Sequence, residues 1–360
     1  MIGVYVSTFS KYDATCNDAV SMCEILLKSG YETRLISAHF MDDCELVPWL
    51  ECSEGMDAMD DCDSLMIYHY GSFDPYFEKV LSLKCKKVFR FHNITEPKFF
   101  KGYDPAVEDW CARGKEQTRN SLGGFDGYWS NSHFTAGQLV QAGGLLPEDS
   151  DVLYPFHRIE QRLNGGRRVP RVMEDKREVK LLSVGRICPH KNQRFLLQCF
   201  RELRAESDQN FKLTFVGKTG PSRYWEEIME DLAVSGIGEH VTFFTNGISE
   251  RELEKQYREA DIFCCVSRHE GYCVPVVEAM SFSIPVVSTP DTALRDTIAS
   301  FGLLVENDRI LQLKHAIMRL AKETKFYHTL SKLSYLGYQR RASPILERIF
   351  SRKISTVTET

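Results

Sequence analysis

The sequence lacks three features that mark specialised classes of protein: a long apolar run, a large net charge and a metal-type cysteine pattern. No apolar stretch in the 360 residues approaches the roughly 20 that a membrane-spanning helix needs. The net charge of −5 provides no overall attraction to nucleic acid. The N-terminus has no basic segment followed by a signal-type apolar run. These absences predict a cytoplasmic protein with no nucleic-acid partner, and they leave peripheral contact with the inner face of the cytoplasmic membrane open.

The cysteines are numerous but scattered. None of the twelve forms a CxxC pair, and no Cys/His spacing of a zinc site is present. Several lie in apolar segments, such as Cys264 and Cys265 within residues 262–266, where a thiol packs as a small hydrophobe. This usage is typical of a reducing compartment rather than of a disulfide-linked fold.

The composition, 43% hydrophobic and 26% charged, is that of a globular protein, and the length favours two domains. Short apolar runs alternate with amphipathic segments along the chain. Strands are predicted at residues 2–8, 33–37, 65–70, 87–91, 127–130, 152–156, 180–184, 212–216, 241–245, 262–266, 285–288 and 302–305. Helices are predicted at residues 18–28, 192–206, 224–234, 250–259 and 310–322. Such alternation predicts parallel sheets with helices on both faces.

The predicted architecture is α/β, with two Rossmann-like doubly wound domains at residues 1–165 and 176–335. The polar, glycine-bearing stretch 164–176 is the predicted linker. The helical segment 336–360 is expected to pack back on the first domain. Open parallel sheets bind ligands at the carboxyl ends of their strands, so the functional residues are sought there.

Glu270 and Glu278 belong to a segment that follows a predicted buried strand and precedes a helix. Pro275 suits the first helical position, which leaves the amides of 272–274 and of the first helical turn available to an anion. In this interpretation Glu270 accepts hydrogen bonds from sugar hydroxyls, and Glu278, in the first turn, binds a ribose diol. Each glutamate alone also fits a structural role, as a solvated loop charge or as a complement to the helix dipole.

A second segment combines a strand, a glycine and two cations. Gly185 follows the strand predicted at 180–184 and lets the chain turn close to a ligand. Arg186 and Lys191 can flank a diphosphate, Arg186 through its planar fork and Lys191 as a point charge. Taken alone, this segment equally fits a solvated basic turn.

Together these segments resemble the retaining GT-B glycosyltransferases of family 4. The pair Glu270 and Glu278 is similar to the family's E-x7-E motif. Gly185, Arg186 and Lys191 are similar to its GR-x4-K motif for phosphate. The combination is more specific than either motif, and the resemblance covers residues 180–322.

In the first half, His92 ends a predicted strand where the family places a cleft histidine near the transferred sugar. A histidine at a strand end also fits a purely structural role. The loop at residues 7–15 lacks the diglycine that many members carry after the first strand. Cys273 stands where the family usually has a glycine.

The resemblance implies a GT-B fold, with the two domains facing across a cleft, and a hexosyltransferase that needs no metal and no cofactor. Its donor would be a nucleoside-diphosphate sugar, with GDP-mannose a common choice. Its acceptor would be a glycan or lipid-linked glycan of a bacterial surface polysaccharide, such as O-antigen, capsule or exopolysaccharide. The implied catalytic residues are Glu270, His92, Arg186 and Lys191. The implied donor contacts are Gly185, Arg186, Lys191, Gly217, Ile248, Glu270, Cys273, Val274 and Glu278.

Other functions fit the same scaffold. A sugar-nucleotide epimerase, a phosphorylase and a non-catalytic sugar-nucleotide-binding subunit of a glycan assembly complex remain alternatives. Asp61 and Asp63 match a metal-binding DxD pattern, but their position before a strand favours an ordinary turn into that strand. A basic stripe of Lys84, Lys86, Lys87 and Arg90 favours a solvated face over a lipid-facing one.

Overall fold

A computed structural model describes residues 1–11, 13–120, 123–143, 145, 150–162, 173 and 178–359. The chain divides into two compact units. The first contains Met1–Pro97, Ala106–Arg158 and Ser343–Thr360, and the second contains Lys98–Pro105 and Ile159–Ala342. Apart from Met173, the predicted linker at 164–176 lies outside the described residues.

The first unit is built on a parallel sheet. In its described part, seven strands are hydrogen-bonded in the order β3-β2-β1-β4-β5-β6-β7. These strands are β1 (Ile2–Phe9), β2 (Thr33–Phe40), β3 (Trp49–Glu51), β4 (Leu65–Tyr70), β5 (Lys86–Phe91), β6 (Gly127–Ser130) and β7 (Ser150–Val152). Every residue of β4 is buried, as expected when helices cover both faces of a parallel sheet.

The second unit repeats this architecture. Six strands of its described part follow the order β10-β9-β8-β11-β12-β13 and pair in parallel. They are β8 (Glu178–Val184), β9 (Asn210–Val216), β10 (Val241–Phe244), β11 (Ile262–Cys265), β12 (Val286–Ser288) and β13 (Leu303–Leu304). The prediction of two doubly wound α/β domains is therefore confirmed.

Helices connect the strands in both units. Among the described helices, none combines the length and the hydropathy that a bilayer crossing requires. They are α1 (Ala14–Lys28), α2 (Cys52–Met59), α3 (Phe77–Ser82), α4 (Pro105–Asn120), α5 (His133–Ala142), α6 (Ile159–Arg162), α7 (Gln193–Glu206), α8 (Ser222–Ser235), α9 (Glu250–Glu259), α10 (Val274–Ser281), α11 (Leu294–Ile298), α12 (Ile310–Lys322), α13 (Thr324–Gln339) and α14 (Ser343–Glu359).

Helix α14 belongs to the first unit, although it is the last element of the chain. It buries Leu346, Phe350 and Ile354 in that unit's apolar core. The Phe350 ring meets Trp129 of β6 edge-on, with ring centroids 5.9 Å apart. Residues four apart lie on one face of a helix, which explains why this stripe is the buried one.

The segment 98–105 departs from the predicted domain boundary, because it belongs to the second unit. Phe100 is buried there, and the Tyr103 hydroxyl donates to Glu227 at 3.0 Å. The Tyr103 ring also packs edge-on against Tyr224 at 5.6 Å. The packing of these aromatic side chains therefore places the segment in the second unit, although the residues on both sides of it in the sequence belong to the first.

Among the strands, β7 and β3 depart most from the predictions. The strand expected at 152–156 is β7, which ends at Val152 because the chain leaves the sheet after Leu153 donates to the Ser130 carbonyl at 2.9 Å. The sequence did not predict the edge strand β3, whose three residues carry too short a pattern to be recognised.

Candidate active site

Four loops of the second unit follow the carboxyl ends of adjacent parallel strands, so they lie along one edge of the sheet. Gly185 follows β8, Gly217 follows β9, Ile248 lies in the loop after β10, and Glu270 lies in the loop after β11. The sequence predicted a role for each of these residues. The topology brings their loops to a common edge.

Gly217 allows two of these loops to touch. A Cβ atom built on Gly217 would lie 2.1 Å from the Gly185 carbonyl oxygen, so no side chain fits there. Both glycines have φ near the limit of the region that side chains rarely adopt, +150° for Gly185 and +155° for Gly217. The two loops are therefore in backbone contact, and the Lys191 side chain lies next to Gly185.

Lys191 and Glu270 form an ion pair at this edge. The Lys191 ammonium donates to Glu270 Oε1 at 2.6 Å. Burial opposes the charge on Lys191, but Glu270 more than compensates, so the pKa of the ammonium is raised. The Glu270 backbone N–H donates to Thr292 Oγ1 at 2.7 Å, which fixes the loop. The predicted phosphate contact and the predicted sugar contact are thus one hydrogen-bonded pair.

Cys273 precedes helix α10 in a left-handed conformation, with φ of 79°. Its Sγ lies 3.8 Å from Cys265 Sγ at the end of β11, and both thiols are buried. The hydrogen bond between them, followed by burial, raises the pKa of Cys273, whereas the same bond lowers the pKa of Cys265. The Cys273 thiol therefore points toward the carboxyl end of β11.

Helix α10 begins one residue earlier than predicted. Val274 is its first residue, so Pro275 occupies the second position and Glu278 the start of the second turn rather than the first. Glu278 is buried, and its Oε2 accepts a hydrogen bond from the Tyr257 hydroxyl at 2.6 Å. Its orientation is therefore set by α9.

The remaining predicted donor residues vary in exposure. Val274 and Ile248 are half-buried, whereas Arg186 is exposed directly after Gly185. An exposed guanidinium on the loop after β8, the loop that leads to Lys191, is available to a diphosphate.

His92 belongs to the first unit, at the carboxyl end of β5, and hydrogen bonds engage both its ring nitrogens. Nδ1 lies 3.0 Å from the Asn131 side-chain nitrogen, and Nε2 lies 2.8 Å from His69 Nδ1. Because the amide nitrogen can only donate, His92 Nδ1 accepts, and Nε2 carries the proton that it donates to His69.

An ion pair lies beneath these two histidines. Arg90 Nε and an Arg90 terminal nitrogen both lie 2.9 Å from Asp18 Oδ2, and all three groups are buried. Burial, and then the Arg90 charge, lower the pKa of His69 and of His92 well below the usual value. Both imidazoles are therefore neutral at pH 7.

The sequence of the second unit has a recognisable family match. Residues 170–336 match the glycosyl transferases group 1. This match spans most of the sheet that carries Gly185, Gly217 and Glu270.

Two curated relatives of the chain are mannosyltransferases. The chain is 30% identical over 126 residues to the O-antigen chain mannosyltransferase B of Escherichia coli, covering 35% of this chain and 32% of that protein. It is 27% identical over 142 residues to a GDP-mannose-dependent alpha-mannosyltransferase of Mycolicibacterium smegmatis, covering 34% of this chain and 38% of that protein. The chain thus spans about a third of the length of these relatives.

Solved structures match the whole chain. The crystal structure of Anabaena HepE in complex with UDP and glucose has a TM-score of 0.77, covering 99% of this chain and 100% of that one at 14% identity. At that identity the likeness establishes the fold. Together with the group 1 match, it supports a GT-B glycosyltransferase.

Sequence reasoning missed the partners that orient the group 1 site and the histidine. Tyr257 and His69 stand in no motif, and Asn131 belongs to a strand-to-helix junction to which the sequence assigned no contact with His92. One signal was available: Asp18 and Arg90 both lie in apolar stretches, and buried opposite charges require each other.

The predicted basic stripe is not a solvated face. Lys87 is buried and its ammonium donates to the Leu83 and Cys85 carbonyls, at 2.7 and 3.0 Å. Arg90 is paired with Asp18. Only part of the stripe therefore reaches solvent.

Three groups within the described residues have the composition of a metal site. In the first, Asp18 with His69 and His92, both carboxylate oxygens are already engaged, because Oδ2 accepts from Arg90 and Oδ1 accepts from the Phe156 backbone N–H at 2.7 Å. The exposed Asp61–Asp63 run is the second, on the loop before β4. The third is formed by Cys265, Glu270 and Cys273.

Proposed function

We propose that the protein is a retaining hexosyltransferase that uses a nucleoside-diphosphate sugar to extend a glycan or lipid-linked acceptor of a bacterial surface polysaccharide. The observation that carries this proposal is the Lys191–Glu270 pair, held at the carboxyl edge of the sheet beside the glycine loops of Gly185 and Gly217. The Lys191 ammonium would bind a phosphate, and the Glu270 carboxylate would accept hydrogen bonds from sugar hydroxyls. The pair therefore matches the two parts of a sugar diphosphate.

The leaving diphosphate gains negative charge during transfer. Lys191 and Arg186 supply positive charge from the protein, and the amides at the start of α10 add hydrogen-bond donors. Lys191 is held by Glu270 before the donor arrives, so its charge is preorganised. Because these groups belong to the chain, we propose that the reaction needs no metal and no cofactor.

The two glutamates divide the donor between them. Glu270, in the loop, would accept hydrogen bonds from the transferred sugar, while its partner Lys191 contacts the diphosphate. Glu278, oriented by Tyr257, would bind the ribose diol. His92, as a neutral imidazole, would contact sugar or acceptor hydroxyls.

The donor we favour is GDP-mannose, because both relatives are mannosyltransferases and one of them depends on GDP-mannose. HepE, by contrast, was crystallised with UDP and glucose, so the fold alone does not determine which nucleotide base the donor carries. A thermal-shift panel of GDP-, UDP-, ADP- and dTDP-sugars tests the choice, because a ligand stabilises the folded state it binds. The largest shift should come from GDP-mannose.

Glu270→Gln tests the catalytic assignment. Glutamine keeps a hydrogen-bond acceptor for Lys191 and removes only the charge, so the variant should fold. Transfer should fall by about 100-fold or more, by analogy with the loss of one preorganised group. Glu306→Gln, an exposed glutamate of the same unit, is the matched control. Turnover near that of the wild type in Glu270→Gln would refute the assignment.

The products distinguish transfer from the alternatives. A transferase releases nucleoside diphosphate only with acceptor present, and NMR of the glycan should show the anomeric configuration of the donor. Epimerised donor, or a requirement for inorganic phosphate, would instead establish an epimerase or a phosphorylase. Activity that EDTA abolishes and manganese restores would contradict metal independence.

A further inference from the structure

Two thiols and a carboxylate converge at the donor edge of the second unit. One ligand atom from each of Cys265, Glu270 and Cys273 lies within 4.8 Å of the other two, and all three residues are buried. They come from the end of one strand and from the loop and cap that follow it. A thiol pair beside a carboxylate is a ligand set for a thiophilic divalent ion such as Zn²⁺.

The spacing of the sulfur atoms suits such an ion. Two sulfurs that each lie about 2.3 Å from a tetrahedral Zn²⁺ are about 3.8 Å apart. Cys265 Sγ and Cys273 Sγ are separated by 3.8 Å, so both could bind one ion without movement of the backbone. In the absence of an ion, the same spacing permits the thiol–thiol hydrogen bond.

The formal charges of the occupied site would balance. Binding Zn²⁺ would displace one proton from each thiol, and the resulting two thiolates and the Glu270 carboxylate would carry three negative charges. The divalent ion and the Lys191 ammonium, which lies 2.6 Å from Glu270 Oε1, balance those charges. Lys191 would thus act as a hydrogen-bonding partner of a metal ligand, the role that outer groups play in many metal sites.

The conformation of Cys273 is a second and independent observation. With φ of 79° it adopts a left-handed backbone, which costs a residue with a side chain about 1 kcal/mol or more relative to glycine. Strain of this kind at a binding edge points to a function for the side chain. The thiol is directed at Cys265 and shares the cluster with Glu270.

We infer that Cys265, Cys273 and Glu270 form a binding site for Zn²⁺ or a similar thiophilic ion, and that the occupied site inhibits the enzyme by withdrawing Glu270 from the donor. Metal binding follows from the ligand cluster alone. The inhibition rests additionally on the proposed function of Glu270. An inhibitory ion is compatible with a reaction that itself needs no metal.

Cadmium absorption tests the site directly. The reduced full-length protein is titrated with Cd²⁺, which substitutes for Zn²⁺, and the near-ultraviolet band of cadmium–thiolate bonds is followed. The wild type should show a saturable band that added Zn²⁺ removes. Cys265→Ser and Cys273→Gly should each lose it. Cys273→Gly should also fold readily, because glycine relieves the left-handed strain.

Cys62→Ser is the matched control, since Cys62 is the one exposed thiol among the described cysteines. It should keep the band. An unchanged band in Cys265→Ser or Cys273→Gly would overturn the proposal, as would the absence of any band. Loss of two thiols in a thiol titration without added metal would indicate a disulfide and would also overturn it.

Activity supplies the second measurement. Zn²⁺ should inhibit transfer by the wild type, and EDTA should restore it. Cys265→Ser should retain its basal transfer and resist Zn²⁺. If cadmium and zinc bind as expected but transfer is unaffected, the metal site stands and the assigned role of Glu270 in donor binding fails.

Discussion

At the scale of single residues, the candidate site consists of pairs rather than of isolated motif residues. Lys191 is paired with Glu270, and Tyr257 with Glu278, by hydrogen bonds of 2.6 Å each. A bound ligand therefore meets groups whose positions are already determined. Such preorganisation lowers the entropy cost of binding.

Tyr257→Phe should weaken donor binding. The substitution removes the hydroxyl that holds Glu278 Oε2, while the ring can still stack on Phe282, whose centroid lies 5.4 Å away. A hydrogen bond to a charged group contributes about 1.5–3 kcal/mol, so KM for the donor should rise about tenfold or more, with kcat changed less. Steady-state kinetics measure KM and kcat separately. Tyr31→Phe in the first unit is the control. A fall in kcat with unchanged KM would contradict this role.

The buried histidines predict a pH dependence of stability. The pKa values of His69 and His92 are depressed in the folded state, so the unfolded chain binds more protons as the pH falls. The free energy of unfolding is therefore unaffected by these histidines above the unfolded pKa of about 6.5. Below that pH it declines by up to about 1.4 kcal/mol per pH unit for each histidine. Burial also raises the pKa of the neighbouring Asp18 carboxyl, and the Arg90 charge opposes that rise.

Unfolding curves from neutral to mildly acidic pH should therefore shift less in a His69→Asn, His92→Asn double variant than in the wild type. The reason is that the variant has lost the two groups that must be kept uncharged. His133→Asn, which changes an exposed histidine, is the control. Equal pH slopes in the wild type and the double variant would show that the histidines are not responsible.

At the scale of elements, sequence periodicity gave the bounds of some strands and helices and missed others. The bounds of β4, β6, α9 and α12 agree with the predictions to the residue. The predictions missed β3, which has only three residues, and the 16-residue α4, in which only Cys111, Gly114 and Thr118 are buried. Such elements carry too little apolar pattern to be recognised. The start of α10 was also misplaced, because Cys273 before it adopts a conformation unusual for a side chain.

The attachment of α14 gives an element-scale prediction. Phe350 is fully buried against Trp129, so Phe350→Ala should lower the free energy of unfolding of the first unit by about 3–5 kcal/mol. Ile349→Ala, the exposed neighbour on the same helix, should cost about 0.5 kcal/mol or less. Urea denaturation measures both. Equal losses would mean that α14 is not held by its apolar face.

At the scale of the whole molecule, each unit has its own apolar core, and all the predicted donor contacts lie in the second unit, whereas the predicted catalytic residue His92 lies in the first. A nucleoside diphosphate should therefore act first on the second unit. In hydrogen exchange, GDP should protect the backbone around Gly185, Lys191 and Glu270, because binding stabilises local structure. Protection confined to the first unit would contradict the assignment of the donor site.

The alternation of apolar runs and amphipathic helices determined the α/β class, because its periods of two and 3.6 residues are local properties of the chain. The glycine of the β8 loop and the spacing of Glu270 and Glu278 likewise marked the donor segments without a structure. Both signals are local. A glycine directly after a strand, and carboxylates on either side of a helix start, can be recognised from the neighbouring residues in the sequence.

Only the tertiary structure decided which side chains meet. Lys191 and Glu270, His69 and His92, and the segment around Tyr103 with its partner Glu227 are distant in sequence. The first two contacts follow from the order of strands in the sheets, and the third from the packing of segment 98–105 into the second unit. Sheet order and burial depend on the whole chain, which is why no local pattern contains them.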